Sequence, residues 1–276
     1  MSSRWLRPAD ENRPGSVWMM GVLNCTPDSF SDGGSFVDVE KAVKHGLAMR
    51  DAGADIIDVG GESTRPGSKP VSLADELQRV IPVVKALAEA GCVVSIDTMK
   101  AAVMAEAVAA GAEMVNDVSA LMHDQASLQV VAESGVDVCL MHMQGKPETM
   151  QQNPQYSGVV DEVSAFFERR IDACLQAGIA ESAMLLDPGI GFGKRLDDNL
   201  QLITATAEFK RRFPMPLLLG LSRKSFIAQV TGAVVDDREI ETAVAGAIGI
   251  LHGADMLRVH DVALQARAMK MASALC

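Results

Sequence analysis

The segment Ala110-Gly111-Ala112-Glu113-Met114-Val115-Asn116-Asp117 contains the pattern that decides the fold. A helical segment ends at Gly111, a short apolar run follows, and the run stops at two polar side chains. Glycine at a helix C terminus supplies the left-handed cap that lets the chain turn into the next strand. The segment therefore predicts the passage from a helix into a β-strand that has a polar end.

The same unit recurs along the chain, with short apolar runs separated by turns and helical segments. Each run is nearly continuous in apolar residues, as expected for a parallel strand that is covered on both faces. The eight predicted strands are Val17–Asn24, Asp55–Gly60, Val93–Asp97, Met114–Asp117, Val136–His142, Met184–Pro188, Leu217–Gly220 and Asp255–His260. Predicted helices, which carry apolar residues at helical spacing, include Val37–Asp51, Leu73–Glu89, Lys100–Ala110 and Val159–Gln176.

Eight β-then-α units in 276 residues predict an α/β fold, specifically a TIM (β/α)8 barrel. A doubly wound open sheet is the alternative, although that architecture does not normally need eight such units. No linker, low-complexity tract or block of charge divides the chain. We therefore predict a single domain over residues 1–276, with a short polar N-terminal extension at residues 1–15.

The composition restricts the class of protein. Hydrophobic residues make up 48% of the chain and charged residues 22%, which favours a large core and argues against disorder. The net charge of −11 argues against a general nucleic-acid or anionic-membrane binder. Five cysteines without metal-like spacing favour a reducing compartment. Because no apolar stretch approaches the ~18 residues of a membrane span, we expect a cytoplasmic protein.

Polar residues stand at or just beyond the C-terminal end of each predicted strand. In a barrel these ends form one mouth, where the active sites of this fold lie. One polar strand end is more often a cap or turn residue than a catalyst, but eight in succession predict an enzyme. The residues concerned are Asn24, Asp58, Glu62, Asp97, Asn116, Asp117, His142, Asp187, Ser222, Arg223, Lys224, Arg258 and His260.

Residue types at this mouth predict an anionic ligand. Lys224, Arg258 and His260 follow the last two strands, the usual phosphate site of a TIM barrel, and Arg65 lies in a long loop after the second strand. The glycine-rich segment 187–194 lacks Walker A and Rossmann spacing, and we interpret its glycines as allowing a flat ligand to approach the backbone. The sequence contains no paired-histidine ligand set that would indicate a tightly held transition metal. Mg²⁺ carried by a diphosphate would need few protein oxygens.

Taken in order, these motifs resemble those of the dihydropteroate synthases over roughly residues 17–262. The most specific are the segments 20–34, from Met20-Gly21-Val22-Leu23-Asn24 to Gly33-Gly34, and 58–67, from Asp58-Val59-Gly60-Gly61-Glu62 to Pro66-Gly67. Shorter matches follow in the family's order at Ser95–Thr98, Asn116-Asp117, Met141-His142, Asp187–Lys194, Ser222–Ser225 and Arg258–Asp261. Cys25 stands where valine is common, which is a minor departure.

The resemblance implies the condensation of 6-hydroxymethyl-7,8-dihydropterin diphosphate with 4-aminobenzoate, through a carbocation-like pterin methylene. Family positions assign the pterin to Asp97, Asn116, Asp187 and Lys224, and the diphosphate to Thr64, Arg65, Arg258 and His260. They assign 4-aminobenzoate to Phe30, Pro66, Phe192 and Ser225, catalysis to Asp97, Asp32 and Lys224, and Mg²⁺ to Asn24. A homodimer is also implied, with the C-terminal helix Val262–Leu275 as a possible contact.

Each of these assignments has an alternative. Asp97 and Asp117 could cap the helices that follow them, Phe192 could be ordinary core, and His142 could be a structural histidine. Glu62 could brace its loop through Arg65. For the whole chain, the alternatives are the pterin module of a methyltransferase and a catalytically inactive paralogue that binds pterins or folates. A methyltransferase module should lack the first loop and the Arg-x-His after the eighth strand.

Overall fold

Eight parallel strands form one sheet in the computed structural model, which describes residues 3–5, 17–26, 35–65 and 67–275, with only the backbone of 35–38. Every strand lies within two residues of its predicted bounds. The strands are β1 Trp18–Asn24, β2 Ile56–Gly60, β3 Val94–Asp97, β4 Met114–Asp117, β5 Asp137–Met141, β6 Met184–Asp187, β7 Leu218–Gly220 and β8 Met256–Val259.

The order of the strands closes them into a barrel. Hydrogen-bonded neighbours run β6-β5-β4-β3-β2-β1-β8-β7, and a bridge between Leu186 and Leu217 joins the two ends of this series. The predicted TIM barrel is confirmed, because an open doubly wound sheet has no such bridge between its edges.

Helices connect the strands along the outside of the barrel. The described helices are α1 Ser35–Asp51, α2 Leu73–Glu89, α3 Ala101–Ala109, α4 Ser127–Ser134, α5 Val159–Gln176, α6 Leu196–Thr204, α7 Thr206–Arg212, α8 Ser225–Thr231, α9 Glu239–Leu251 and α10 Val262–Ser273. A short 3-10 helix at Glu181–Ala183 precedes β6. The four helices predicted above are confirmed. Gly111, in the segment that predicted the fold, has a φ of 110°, so it does provide the left-handed turn into β4.

Successive strand residues alternate between the helix layer and the barrel interior. Ile57, Val115 and Leu186 point outward and belong to the large core that the strands share with the helices. A separate interior cluster is formed by one residue from each of seven strands: Met20, Ile56, Met114, Cys139, Leu185, Leu218 and Met256. Because side chains alternate, the residue two positions further along each strand also points inward, one layer nearer the C-terminal mouth.

This next interior layer is largely polar, and we call it the polar layer. It contains Asp58, Asn116, Asp187 and Arg258, and Asp97 joins it because it is in register with Asn116. In register with Gly60 at the end of β1 lies Asn24. The residues that end the predicted strands therefore do converge on one mouth of the barrel.

The N-terminal segment closes on the opposite end of the barrel, which the polar interpretation of residues 1–15 does not anticipate. Trp5 is only 4% exposed and belongs to the interior cluster. Its indole Nε1 donates to Asp137 Oδ2 at 2.7 Å, and its ring packs edge-to-face on Trp18 with 5.3 Å between centroids. Arg4 donates to Asp137, the first residue of β5, and to Glu113, the residue before β4. Most of the extension, residues 6–16, lies outside the described residues.

Two observations bear on the expected environment of the chain. Over the described residues, no helix is both long enough and apolar enough to cross a bilayer. Cys25, Cys92, Cys139 and Cys174 are buried free thiols.

Candidate active site

A guanidinium, two carboxylates and an amide form the centre of the polar layer. Arg258 donates from Nε to Asp58 Oδ2 at 2.6 Å and from Nη2 to Asp97 Oδ2 at 2.7 Å. Asn116 donates from Nδ2 to the same Asp58 oxygen at 3.0 Å. These four residues come from four different strands, so the barrel itself fixes their relative positions.

Asp58 belongs to this centre, although the sequence predicts no specific role for it. It is wholly buried, it accepts from both Arg258 and Asn116, and its second oxygen, Oδ1, is buried without a hydrogen-bond partner. A buried carboxylate needs partners of this kind, because an uncompensated charge inside a protein is costly. The signal was present in the sequence, since Asp58 interrupts an apolar strand two residues after the inward-facing Ile56.

Burial changes the acidity of Asp97. Desolvation raises the pKa of the Asp97 carboxyl to about 7, an effect that the Arg258 charge opposes and that nearby Asp58 reinforces. The Asp97 carboxylate binds Arg258 and therefore does not cap α3. Just before that helix, the backbone N–H of Lys100 donates instead to Thr98 Oγ1 at 3.2 Å. The capping alternative is therefore wrong for Asp97.

The capping alternative is also wrong for Asp117, because the next helix, α4, begins at Ser127 and has no side-chain cap. The two carboxylate oxygens of Asp117 accept the backbone N–H groups of Ser119 at 2.7 Å and Leu121 at 2.9 Å. Asp117 thus stabilises the turn after β4, whose residues Ala120 and Leu121 have positive φ angles. It does not belong to the polar layer, although it lies beside Asn116 in the sequence.

Asp187 lies across the mouth from this centre. Its Oδ1 accepts the backbone N–H of Gly189 at 2.7 Å. Burial raises the pKa of the Asp187 carboxyl, against the opposing effects of that N–H and of the charges on Lys224 and Lys194. A buried carboxylate that is held from one side presents an acceptor edge for a ligand with two adjacent N–H donors.

Lys224 and Phe192 form one wall of the mouth. The ammonium Nζ lies 4.0 Å from the centroid of the Phe192 ring, which is a cation–π contact. Burial lowers the pKa of Lys224 to about 8, although the Asp187 charge raises it. Phe192 also packs in an apolar cluster with Val118, Met141 and Met150, so it is part of the core as well as part of the site.

The surroundings of His260 disfavour its charged form, although the sequence counts it among the cations of the mouth. Burial, together with the charges of Arg258, Arg223 and Lys224, lowers the pKa of His260 to about 3. The Ser222 hydroxyl oxygen accepts the His260 backbone N–H at 3.3 Å and lies 2.9 Å from His260 Nδ1. If the hydroxyl proton is directed to Nδ1, the ring proton is on Nε2, from which it is free to donate to an anion.

The glycines of residues 187–194 serve the packing of two loops. A side chain at Gly189 would come within 1.9 Å of the His142 carbonyl oxygen, and one at Gly193 within 2.3 Å of the Gln144 carbonyl oxygen. Both glycines have positive φ angles, so only glycine fits these positions without strain. The backbone they approach is that of the loop after β5, whereas a Cβ atom on Gly191 would lie 3.1 Å from Cδ of Lys224 at the mouth. The approach of a flat ligand to this segment stays a prediction.

Lys194 and His142 join the same two loops below the mouth. Lys194 Nζ lies 3.0 Å from His142 Nδ1 and donates to the carbonyl oxygens of His142 and Phe192. Burial lowers the pKa of His142 to about 3 and that of Lys194 to about 7. The structural reading of His142 agrees with these contacts, since its Nδ1 and carbonyl oxygen both face Lys194.

The remaining predicted residues fall into two groups. Thr64 and Arg65 lie on the 61–72 loop, Arg65 is exposed, and Ser225 is the exposed first residue of α8. Glu62 pairs with Lys100 and accepts from Val71 N, so its loop is not braced through Arg65. Phe30, Asp32 and Pro66 lie outside the described residues. Among the residues with described side chains, no three His, Cys, Asp or Glu groups are placed to hold a metal ion.

Comparison with known proteins agrees with this geometry. Residues 20–260 match the family of pterin binding enzymes. The dihydropteroate synthase of Escherichia coli K12 is 49% identical over 257 residues, which cover 93% of this chain and 90% of that protein. The crystal structure of Yersinia pestis dihydropteroate synthase with a sulfonamide drug has a TM-score of 0.90 at 43% identity and covers 100% of this chain and 98% of its own. Xanthomonas albilineans dihydropteroate synthase with 4-aminobenzoic acid gives 0.88 at 44% identity, with coverages of 94% and 93%.

Proposed function

This chain belongs to the dihydropteroate synthase family of pterin-binding enzymes, and from that premise we propose how the mouth of its barrel carries out the reaction. The enzyme is a transferase that joins 6-hydroxymethyl-7,8-dihydropterin diphosphate to 4-aminobenzoate, which gives 7,8-dihydropteroate and pyrophosphate. The methyltransferase and inactive-paralogue alternatives are set aside by the match over nearly the whole chain to dihydropteroate synthases.

The pterin is assigned to the polar layer. Asp187 would accept the 2-amino and N3–H groups of the ring, and Asn116 would donate and accept at the ring edge. Lys224 would donate to the ring carbonyl and N5 from its position above Phe192. The carboxylate of Asp97, which lies 2.7 Å from Arg258, would accept from a ring N–H and favour positive charge on the ring.

The diphosphate is assigned to the cationic rim beside this layer. Two N–H groups of Arg258 are occupied by Asp58 and Asp97, and its remaining donors are available to phosphate oxygens. His260 would donate through Nε2, and Thr64 and Arg65 would approach from the 61–72 loop. These donors stabilise the negative charge that develops on the departing pyrophosphate.

Mg²⁺ fits this site as a partner of the diphosphate. The proposed anion site offers the side-chain oxygen of Asn24, which suits a metal that takes most of its oxygens from the substrate and water. When bound, Mg²⁺ would neutralise charge on the leaving group. Asn24 would hold it from the end of β1.

The 4-aminobenzoate is assigned to the rim above Lys224. Phe192 and Ser225 would contact it from the described part of the chain, and Phe30, Asp32 and Pro66 from the two long loops. The bond from the methylene to the diphosphate oxygen breaks first, which gives pyrophosphate and a carbocation-like methylene. The amine then attacks the methylene and loses one proton to water or to the departed pyrophosphate. An aromatic amine is already a nucleophile, so Asp32, Asp97 and Lys224 act on orientation and charge, and none is assigned as a base.

One observation carries this proposal: Asp58, Asp97, Asn116, Asp187 and Arg258 occupy one interior layer at the C-terminal mouth. The test is pyrophosphate release from the pterin diphosphate, measured with and without 4-aminobenzoate and Mg²⁺. Release that depends on both supports the reaction and the metal. Release that persists in EDTA would contradict the metal assignment alone, and absence of release would contradict the reaction.

A homodimer is proposed through α9 rather than through α10 alone. Ile240, Val244, Ile248 and Leu251 recur at helical spacing on α9 and are exposed, Ile240 by 72% and Val244 by 59%. Met271 on the adjacent α10 is also exposed. An apolar stripe of this kind is self-complementary across a two-fold axis. Val244→Glu should give monomers in sedimentation velocity, whereas an unchanged dimer would exclude this face.

The cytoplasm remains the proposed location.

A further inference from the structure

A chain of charged side chains links the 61–72 loop to the barrel wall outside the mouth. Lys100 Nζ donates to a carboxylate oxygen of Glu62 on the loop and to one of Glu76 on α2. Glu76 is buried, and its other oxygen accepts the Thr98 hydroxyl at 2.6 Å. Lys100 therefore connects the loop, α2 and the segment that follows β3.

Both ends of the loop are fixed by this arrangement. The Glu62 oxygen that pairs with Lys100 also accepts the backbone N–H of Val71 at 3.2 Å, which ties the end of the loop to its beginning. Arg79 donates to the Gly61 carbonyl oxygen at 2.9 Å. A side chain on Gly61 would come within 2.7 Å of Val80, so the loop begins in direct contact with α2. Thr64 and Arg65 are carried by the segment between these fixed ends.

Lys100 is a charged group in a partly buried setting. Burial lowers the pKa of Lys100, but hydrogen bonds to Glu62 and Glu76 outweigh this effect and raise it. Without this cation, two partly or fully buried carboxylates would face each other unpaired. None of the ligand contacts assigned above involves Lys100, so its effect on the reaction must pass through the loop.

We propose that Lys100 is a positioning residue. It acts through Glu62 to hold the 61–72 loop in the position in which Arg65 contacts the diphosphate. The inference rests on the proposed function, in which Arg65 contacts that group. It predicts that Lys100 matters for the diphosphate part of the substrate and not for the pterin ring.

The test compares two ligands that differ only in the diphosphate. Dissociation constants for 6-hydroxymethyl-7,8-dihydropterin diphosphate and for 6-hydroxymethyl-7,8-dihydropterin are measured by calorimetry on Glu62→Gln, Lys100→Met and Lys100→Arg. Glu62→Gln is the cleaner variant, because it weakens the loop contact and leaves the Lys100–Glu76 pair intact. Lys85→Met, which removes an exposed lysine of α2, is the matched control.

We expect Glu62→Gln and Lys100→Met to weaken binding of the diphosphate ligand by about tenfold, the usual size for a lost contact to a charged group. Binding of the ligand without the diphosphate should be unchanged, and Lys100→Arg should restore most of the loss. Equal weakening of both ligands, or no weakening of either by Glu62→Gln, would overturn the proposal.

Arg65→Met separates this inference from the proposed function. If Arg65→Met has no effect on diphosphate binding, the assignment of Arg65 to the diphosphate is wrong. If it weakens binding, Glu62→Gln should add little in the Arg65→Met background, because both changes remove the same contact. Full additivity in that double-mutant cycle would show that Lys100 and Glu62 do not act through Arg65.

Discussion

The two ends of the barrel solve the same problem with opposite chemistry. At the N-terminal end, Trp5 covers an apolar interior layer, and its indole N–H, the one polar group of its side chain, donates a hydrogen bond to Asp137. At the C-terminal mouth, the next layer is built from buried charges that depend on one another, with Arg258 between Asp58 and Asp97. The N-terminal end therefore gains stability from the burial of apolar side chains. At the C-terminal mouth the buried charges neutralise one another, and their remaining donors and acceptors can bind a ligand.

Function and stability are separated along the axis of this barrel. On β2, β4, β6 and β8, a shift of two residues changes the interior from isoleucine, methionine and leucine to aspartate, asparagine and arginine. The apolar layer is an ordinary hydrophobic core, and substitutions there should change the free energy of unfolding but not kcat or KM. Changes in the polar layer should alter both.

The largest effect is expected from Arg258→Met at the mouth. This change leaves Asp58 and Asp97 buried without their counter-charge, which costs about 3–5 kcal/mol of folding stability for a broken buried ion pair. The loss should shrink below pH 7, because Asp97, whose pKa is raised to about 7, then becomes neutral. Urea unfolding at pH 8 and pH 5.5 measures both, with Arg258→Lys as the control. An equal loss at the two pH values would contradict this account of Asp97.

Trp5→Ala tests the other end of the barrel. Removal of a buried indole should cost about 3 kcal/mol of unfolding free energy, since large-to-small changes in a core fall near this size. The kcat and KM of the folded enzyme should stay at their original values. Arg4→Ala is the control, because its half-exposed ion pairs contribute only about 1 kcal/mol or less. A changed KM for either substrate in Trp5→Ala would break the comparison between the two ends.

Asp187→Ala sharpens the comparison within the mouth. Loss of the acceptor for the pterin edge should weaken pterin binding by about 1.5–3 kcal/mol, the cost of a lost hydrogen bond to a charged group. Asp117→Asn is the matched control, because that carboxylate binds Ser119 and Leu121 of its own turn and lies outside the polar layer. Calorimetric titration with the pterin distinguishes the two. Similar affinity in both variants would remove Asp187 from the site.

The smallest predicted effect is a change in the shape of the pH profile. With the pKa of Asp97 near 7 and that of Lys224 near 8, kcat/KM should fall below pH 7 as Asp97 is protonated and above pH 8 as Lys224 loses its proton. Lys224→Arg should lower the rate but remove the alkaline decline, because a guanidinium does not titrate in this range. If the decline above pH 8 persists in that variant, another group is responsible.

Strand order and strand ends were predictable because parallel strands buried on both faces are apolar runs with clear limits. The polar layer was only partly predictable. Asp97, Asn116 and Asp187 stand at visible strand ends. Asp58 lies inside a strand, and its inward direction follows only when alternation is counted from Ile56. Trp5 was missed because nothing local distinguishes it, as its partners Asp137 and Trp18 are far away in the sequence. The lowered pKa of His260 likewise depends on neighbours that only the fold brings together.

The junction of β6 and β7 has a consequence for the cohesion of the barrel. Strands β5 and β6 share four registered residues, whereas β6 and β7 meet through the Leu186–Leu217 bridge, next to a hydrogen bond from Leu186 N to Pro216 O. Asp187 stands on one side of this seam and Lys224 on the other. A pterin bound by both residues would connect β6 and β7 where they share the fewest backbone pairs. Pterin binding would therefore stabilise the barrel, and a more stable junction would in turn favour pterin binding.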